Sequence, residues 1–160
     1  NLAGTNQIHR AVLKILEPTE FTDFLRTVKD DVTEILRVDF ARLVLETSQQ
    51  APDPTLSDLG NILAPAPKGF IEEYVGRGRT RADRKVTLRQ VQPDDDLIYG
   101  EAAAWIQSEA CLRLDFGRGT LPGLLVFGAD DPHQFTPSQG TDLLTFFATT
   151  FERAMRRWLA

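Results

Sequence analysis

Residues 108–159 read SEACLRLDFGRGTLPGLLVFGADDPHQFTPSQGTDLLTFFATTFERAMRRWL. The stretch opens on alternation. Ala110, Leu112, Leu114 and Phe116 fall on one side and Glu109, Cys111, Arg113 and Asp115 on the other, which predicts a strand over 108–116. Gly117, Gly119, Pro122 and Gly123 supply a turn. The nearly continuous apolar run 123–128 predicts a second strand, covered on both faces. After a loop, Leu143, Leu144, Phe147, Phe151, Ala154, Met155 and Trp158 recur at helical spacing. Thr136 as N-cap, Pro137 in the first turn and Gln139 as capping-box partner set the start of that helix. Phe146 lies beyond the stripe and widens its apolar surface. A strand pair feeding a long amphipathic helix points to an α+β fold.

Upstream, Ile8, Ala11, Val12, Ile15 and Leu16 make one stripe of a helix over 5–16, which Pro18 ends. Thr19 can cap a second helix, whose stripe runs Phe21, Phe24, Leu25, Val28, Val32, Ile35 and Leu36. Residues 39–46 alternate as a strand. Residues 47–68 carry Pro52, Pro54, Pro65 and Pro67 and read as a long loop, the kind more often functional than inert. One or two helical turns over 70–75 stop at Gly76 and Gly78, and a short strand follows over 84–91. Asp94, Asp95 and Asp96 suit the positive end of another short helix, which 102–106 extends. The expected architecture is an antiparallel sheet, with terminal helices on one face and short helices and loops on the other. An N-terminal helical segment, 1–38, and the body, 39–160, form one globular unit.

Composition narrows the function. A chain of 160 residues suits one domain with one real core. No apolar run reaches the ~20 residues that span a bilayer, so no membrane partner is expected. The chain opens on Asn1, as a processed or truncated start would leave it. A single cysteine, Cys111, excludes an internal disulfide and a multi-cysteine zinc site, and fits a reducing cytoplasm. A net charge of −5 argues against general nucleic-acid binding.

The run Gly123-Leu124-Leu125-Val126-Phe127-Gly128 is followed by Asp131-Pro132, Phe135, Pro137 and Gly140-Thr141-Asp142-Leu143-Leu144. With Tyr99-Gly100 and Ser108-Glu109-Ala110 upstream, this order resembles the bacterial GAF-like proteins of domain-of-unknown-function family 484. The resemblance covers most of the chain from about Ile8 and is strongest after Ile98. It implies a GAF-like fold without an assigned activity. GAF domains bind small molecules or serve as dimeric signalling modules, and one fold hosts many functions. By the same resemblance, Phe70, Tyr74, Tyr99 and Trp105 fall in the segment that covers the GAF ligand pocket, with Arg89 or Arg113 as the polar contact. Core packing explains the four aromatics equally well. Some GAF domains reduce methionine sulfoxide with a set of cysteines, which a single cysteine argues against.

The remaining candidates for chemistry are few. Cys111 reads better as a buried strand residue than as a nucleophile, since reactive thiols need an electropositive setting. His9 and His133 have no second ligand at metal spacing, no nucleophile motif accompanies them, and no cofactor is implied. Arg77, Arg79, Arg81, Arg84, Lys85 and Arg89 form the strongest charge cluster, able to receive an anion or to guard a sheet edge. The apolar stripes of the terminal helices exceed what one sheet face needs. A homodimer interface through Ile8, Val12, Phe146, Met155 and Trp158 would cover the surplus. The expected function is a noncatalytic sensory or regulatory domain with a small, anionic ligand. The alternative is a dimerisation module without one.

Overall fold

In the computed structural model, residues 2–47, 62–76, 85–91, 96–117, 119–136 and 139–159 are described. Among these residues six α-helices and five strands follow one another: α1 (Leu2–Leu16), α2 (Phe21–Arg26), α3 (Thr33–Leu36), β1 (Phe40–Glu46), β2 (Leu63–Ala66), α4 (Phe70–Gly76), β3 (Val86–Gln90), α5 (Asp96–Tyr99), β4 (Ser108–Leu114), β5 (Gly123–Ala129) and α6 (Asp142–Leu159). A wide π-type stretch, Thr27–Val32, joins α2 to α3, and a 3-10 turn, Gly100–Ala104, follows α5. The fold is α+β, as its strand pair and helix imply.

The strands form one sheet in the order β2-β1-β5-β4-β3. Three of its pairings are antiparallel, but β1 and β2 run parallel, so the sheet is mixed where antiparallel pairing was expected throughout. The parallel pair arises because β2 lies inside the proline-rich stretch that reads as loop. As the terminal strand of the sheet it tolerates Pro65, which is exposed and could not serve a central ladder.

Alternation divides the sheet into two faces. Ala41, Leu43, Val86, Leu88, Leu112, Leu125 and Phe127 enter one apolar core, the near face, with α1, α2, α3 and α6. Val44, Cys111, Leu124 and Val126 enter a smaller core on the far face, with α4 and α5. β5 is buried at every position, which is why its sequence does not alternate. Trp158 meets the rings of Phe21 and Phe24 at 5.7 and 5.0 Å, so the C-terminal end of α6 is anchored where α2 begins.

Three helix starts differ from the expected ones, and α1 begins at Leu2, three residues before the expected position. The residue ahead of α2 is Glu20, in an extended conformation without a side-chain cap, and Thr19 does not cap it. Helix α6 begins at Asp142. Thr136 and Gln139 do bond, through Thr136 N–H to Gln139 Oε1 at 3.3 Å, but the amide of Gln139 returns to Thr136 O at 3.2 Å and closes a separate turn. The capping chemistry is satisfied within that turn rather than at the start of α6. Among the described residues, no helix is long and apolar enough to cross a membrane.

Candidate ligand site on the far face

The register places three rows across the far face. Phe40, Gly128, Glu109 and Arg89 make one row, and Arg42, Val126, Cys111 and Thr87 make the next. Val44, Leu124 and Arg113 begin the third. Pairing therefore brings Glu109 beside Arg89 and Cys111 beside Thr87.

The first row is an enclosed polar knot. Glu109 is 1% exposed. Its Oε1 accepts the hydroxyls of Tyr74 at 2.5 Å and Tyr99 at 2.6 Å, and its Oε2 accepts Arg89 Nε at 2.7 Å. Arg89 then donates through its two terminal nitrogens to Val75 O at 3.0 Å and Tyr74 O at 2.8 Å. Its guanidinium also lies 5.0 Å from the centre of the Tyr74 ring. Each partner is charge-assisted, and a buried charge persists only with such compensation. Burial alone would lower the pKa of Arg89, but its neighbours Cys111 and Glu109, the latter through a carboxylate hydrogen bond, outweigh it and the net shift is upward. Burial, with Glu109 next in effect, pushes the Tyr99 hydroxyl well above its ordinary range and keeps it a donor. Tyr99 reaches the carboxylate because Gly128 has no side chain: a Cβ there would stand 3.0 Å from the Tyr99 ring and 3.1 Å from Ile106.

The sequence-based candidates separate on this face. Tyr74, Tyr99 and Arg89 converge, but on Glu109 rather than on an open space. Phe70 is half-buried and stacks on Tyr74 with ring centres 5.8 Å apart. Trp105, 45% exposed at the end of the 3-10 turn, faces solvent rather than an enclosed pocket. Arg113 is half-buried, and among the described residues its side chain makes no ion pair. Of the basic cluster, Arg77, Arg79, Arg81 and Arg84 lie outside the described residues. Lys85 pairs with Glu152 of α6, and Arg89 with Glu109.

Sequence reasoning missed Glu109 as the centre and Thr87 altogether. Thr87 is 3% exposed, and among the described residues its hydroxyl has no hydrogen-bond partner. Alternation aims it to the far face between Val86 and Leu88, which face the helices. Arg113 is its diagonal neighbour across the strand pair, about 7–8 Å away by sheet geometry. A usable signal existed: β4 lies beside a strand apolar on both faces, so its own polar face had to be covered.

Among the described residues no group of His, Cys, Asp and Glu could hold a metal ion. Cys111 is fully buried, and His9 and His133 are exposed. A cleft of about 520 Å³ opens on the near side, between the starts of α1 and α6, over Ile8, Val38, Phe127 and Phe135. Among the described residues of its lining Asp142 alone is titratable, so these offer no acid–base or nucleophile pair.

The residues placed at the dimer interface from sequence also divide. Ile8 and Met155 are buried in the chain's own core. Val12 and Trp158 are half-buried against it, and Phe146 is 51% exposed. A family model described as "Protein of unknown function, DUF484" matches residues 1–160. No curated protein matches the chain.

Proposed function

The chain belongs to the DUF484 family, of unknown function, and from that premise we propose a noncatalytic, GAF-like regulatory domain of the cytoplasm that binds a small anionic ligand on the far face of β3 and β4. The observation that carries this reading is the hydroxyl of Thr87, buried and, among the described residues, without a hydrogen-bond partner, beside the guanidinium of Arg113, which makes no ion pair among those residues. An unsatisfied buried hydroxyl costs about 1–3 kcal/mol, and a ligand acceptor would recover it. Arg113 supplies the charge that Arg89, neutralised by Glu109, does not. The Glu109 knot then serves as a frame that holds α4 and α5 beside the site. A buried lone thiol and two exposed histidines support the noncatalytic part of the reading.

Calorimetric titration with a panel of nucleotides, amino acids and dicarboxylates tests it. At least one anionic member should bind, and Thr87→Val and Arg113→Ala should each weaken it by about tenfold, from loss of one hydrogen bond to a charged group. Thr87→Val should also raise the stability of the unliganded chain by about 1 kcal/mol, because an apolar isostere removes the unsatisfied group. Binding by no member, or binding indifferent to both substitutions, contradicts the reading.

A second reading rests on a separate observation. Of the five large hydrophobic residues exposed among the described residues, Leu13 and Leu16 belong to α1 and Leu143 and Phe146 to α6. Apolar groups gathered on two packed helices favour self-association through that layer.

A further inference from the structure

We propose that a second copy of this chain docks antiparallel along α6, with Asp142 of each copy paired to Arg153 of the other and Phe146 packed between the two pairs. The inference rests on the self-association reading and adds the residues and the orientation. Helix α6 sinks Phe147, Phe151, Ala154 and Met155 into the near-face core. At 3.6 residues per turn, Asp142, Phe146, Thr149 and Arg153 lie together on the opposite side. Asp142, Phe146 and Arg153 are exposed there and Thr149 is half-buried.

Charge selects the occupant. The stripe begins with an acid and ends, about 16 Å along the axis, with a base. Among the described residues neither Asp142 nor Arg153 makes an ion pair, whereas Arg156 bonds Asp115 O and pairs with Glu152. A two-fold axis midway along the stripe sets acid against base twice. Parallel packing would set like charge against like. That register also lays Phe146 of one copy against Thr149 of the other, an isologous contact in which each residue meets its counterpart's partner. A single surface that is acidic at one end, apolar within and basic at the other complements itself when inverted, which specifies a copy of this chain rather than an unrelated protein.

Sedimentation equilibrium of the full chain, with Asp142→Arg, Arg153→Asp, the double variant and Phe146→Ser, tests the arrangement. The wild type should dimerise at micromolar concentration. Each single charge reversal should raise the dimer dissociation constant by about tenfold, since it converts two attractions into two repulsions. The double reversal should return it to within about threefold, because both pairs are restored with exchanged sign. Phe146→Ser should weaken the dimer by about tenfold. Circular dichroism checks that all variants stay folded. A dimer indifferent to the single reversals, or a double variant no better than the singles, overturns the proposed contact and leaves self-association standing through another surface. A wild type that stays monomeric overturns both.

Discussion

At the scale of single residues, Glu109 is the group on which most depends. It fixes three donors from three elements: Tyr74 of α4, Tyr99 of α5 and Arg89 of β3. Glu109→Gln should lower stability by about 3–5 kcal/mol, since it leaves a buried guanidinium without its counter-charge. Urea unfolding measures this directly. The raised pKa of Tyr99 adds a pH dependence. Below the ordinary tyrosine value near 10, the hydroxyl is protonated in both states and its contribution is complete. Above that value the unfolded chain loses the proton and the folded chain keeps it, so stability should fall as pH rises past 10. Tyr99→Phe should flatten that slope in unfolding midpoints taken from pH 8 to 11. Neither residue was legible as a centre in the sequence. In an alternating strand, Glu109 reads like any solvent-facing acid, and its burial depends on α4 and α5, whose contacts with it span 35 and 10 positions of sequence.

At the scale of elements, α4 shows how a short helix is held. Seven residues are too few to sustain a helix in water alone. Glu46, buried at the end of β1, accepts the amides of Gly69 and Ile71 at 2.9 Å each and so closes the N-terminal end. Arg89 donates to the carbonyls of Tyr74 and Val75 and closes the C-terminal end. Each charge has the sign that the helix dipole favours. Glu46→Ala should therefore cost about 1–2 kcal/mol, in the range of a lost helix cap, with amide exchange accelerated first in 70–76. Four strands were readable within two residues because their apolar periodicity is local; so was the body of α6, while α1 was placed correctly except that it starts three residues earlier, at Leu2. β2 was not, because its pairing with β1 is parallel and Pro65 reads as a breaker. The start of α6 was displaced because a capping box reports local bonds, and here those bonds close a turn. The π stretch between α2 and α3 leaves no break in the apolar stripe, so one continuous helix was the natural reading.

At the scale of the whole molecule, the two faces of the sheet divide the work. The near face carries the larger core and the terminal helices, whose outer sides offer a surface to a second copy. The far face carries the smaller core, the Glu109 knot and the unsatisfied hydroxyl of Thr87. The two are joined at the strand edge by Glu152 of α6, which pairs with Lys85 ahead of β3 and accepts the amide of Asp115 at 3.2 Å. The α+β class was legible in the sequence because it follows from periodicity and order. The division into two polar and apolar regimes was not, since it needs the register of β3, β4 and β5. A chemical-shift titration of the isotope-labelled chain with the anion panel tests the central claim most directly. The account predicts perturbations centred on Thr87, Cys111 and Arg113 that need about tenfold more ligand in Thr87→Val. Silence across the panel, or shifts confined to the near-side cleft around Phe127 and Leu144, would contradict it.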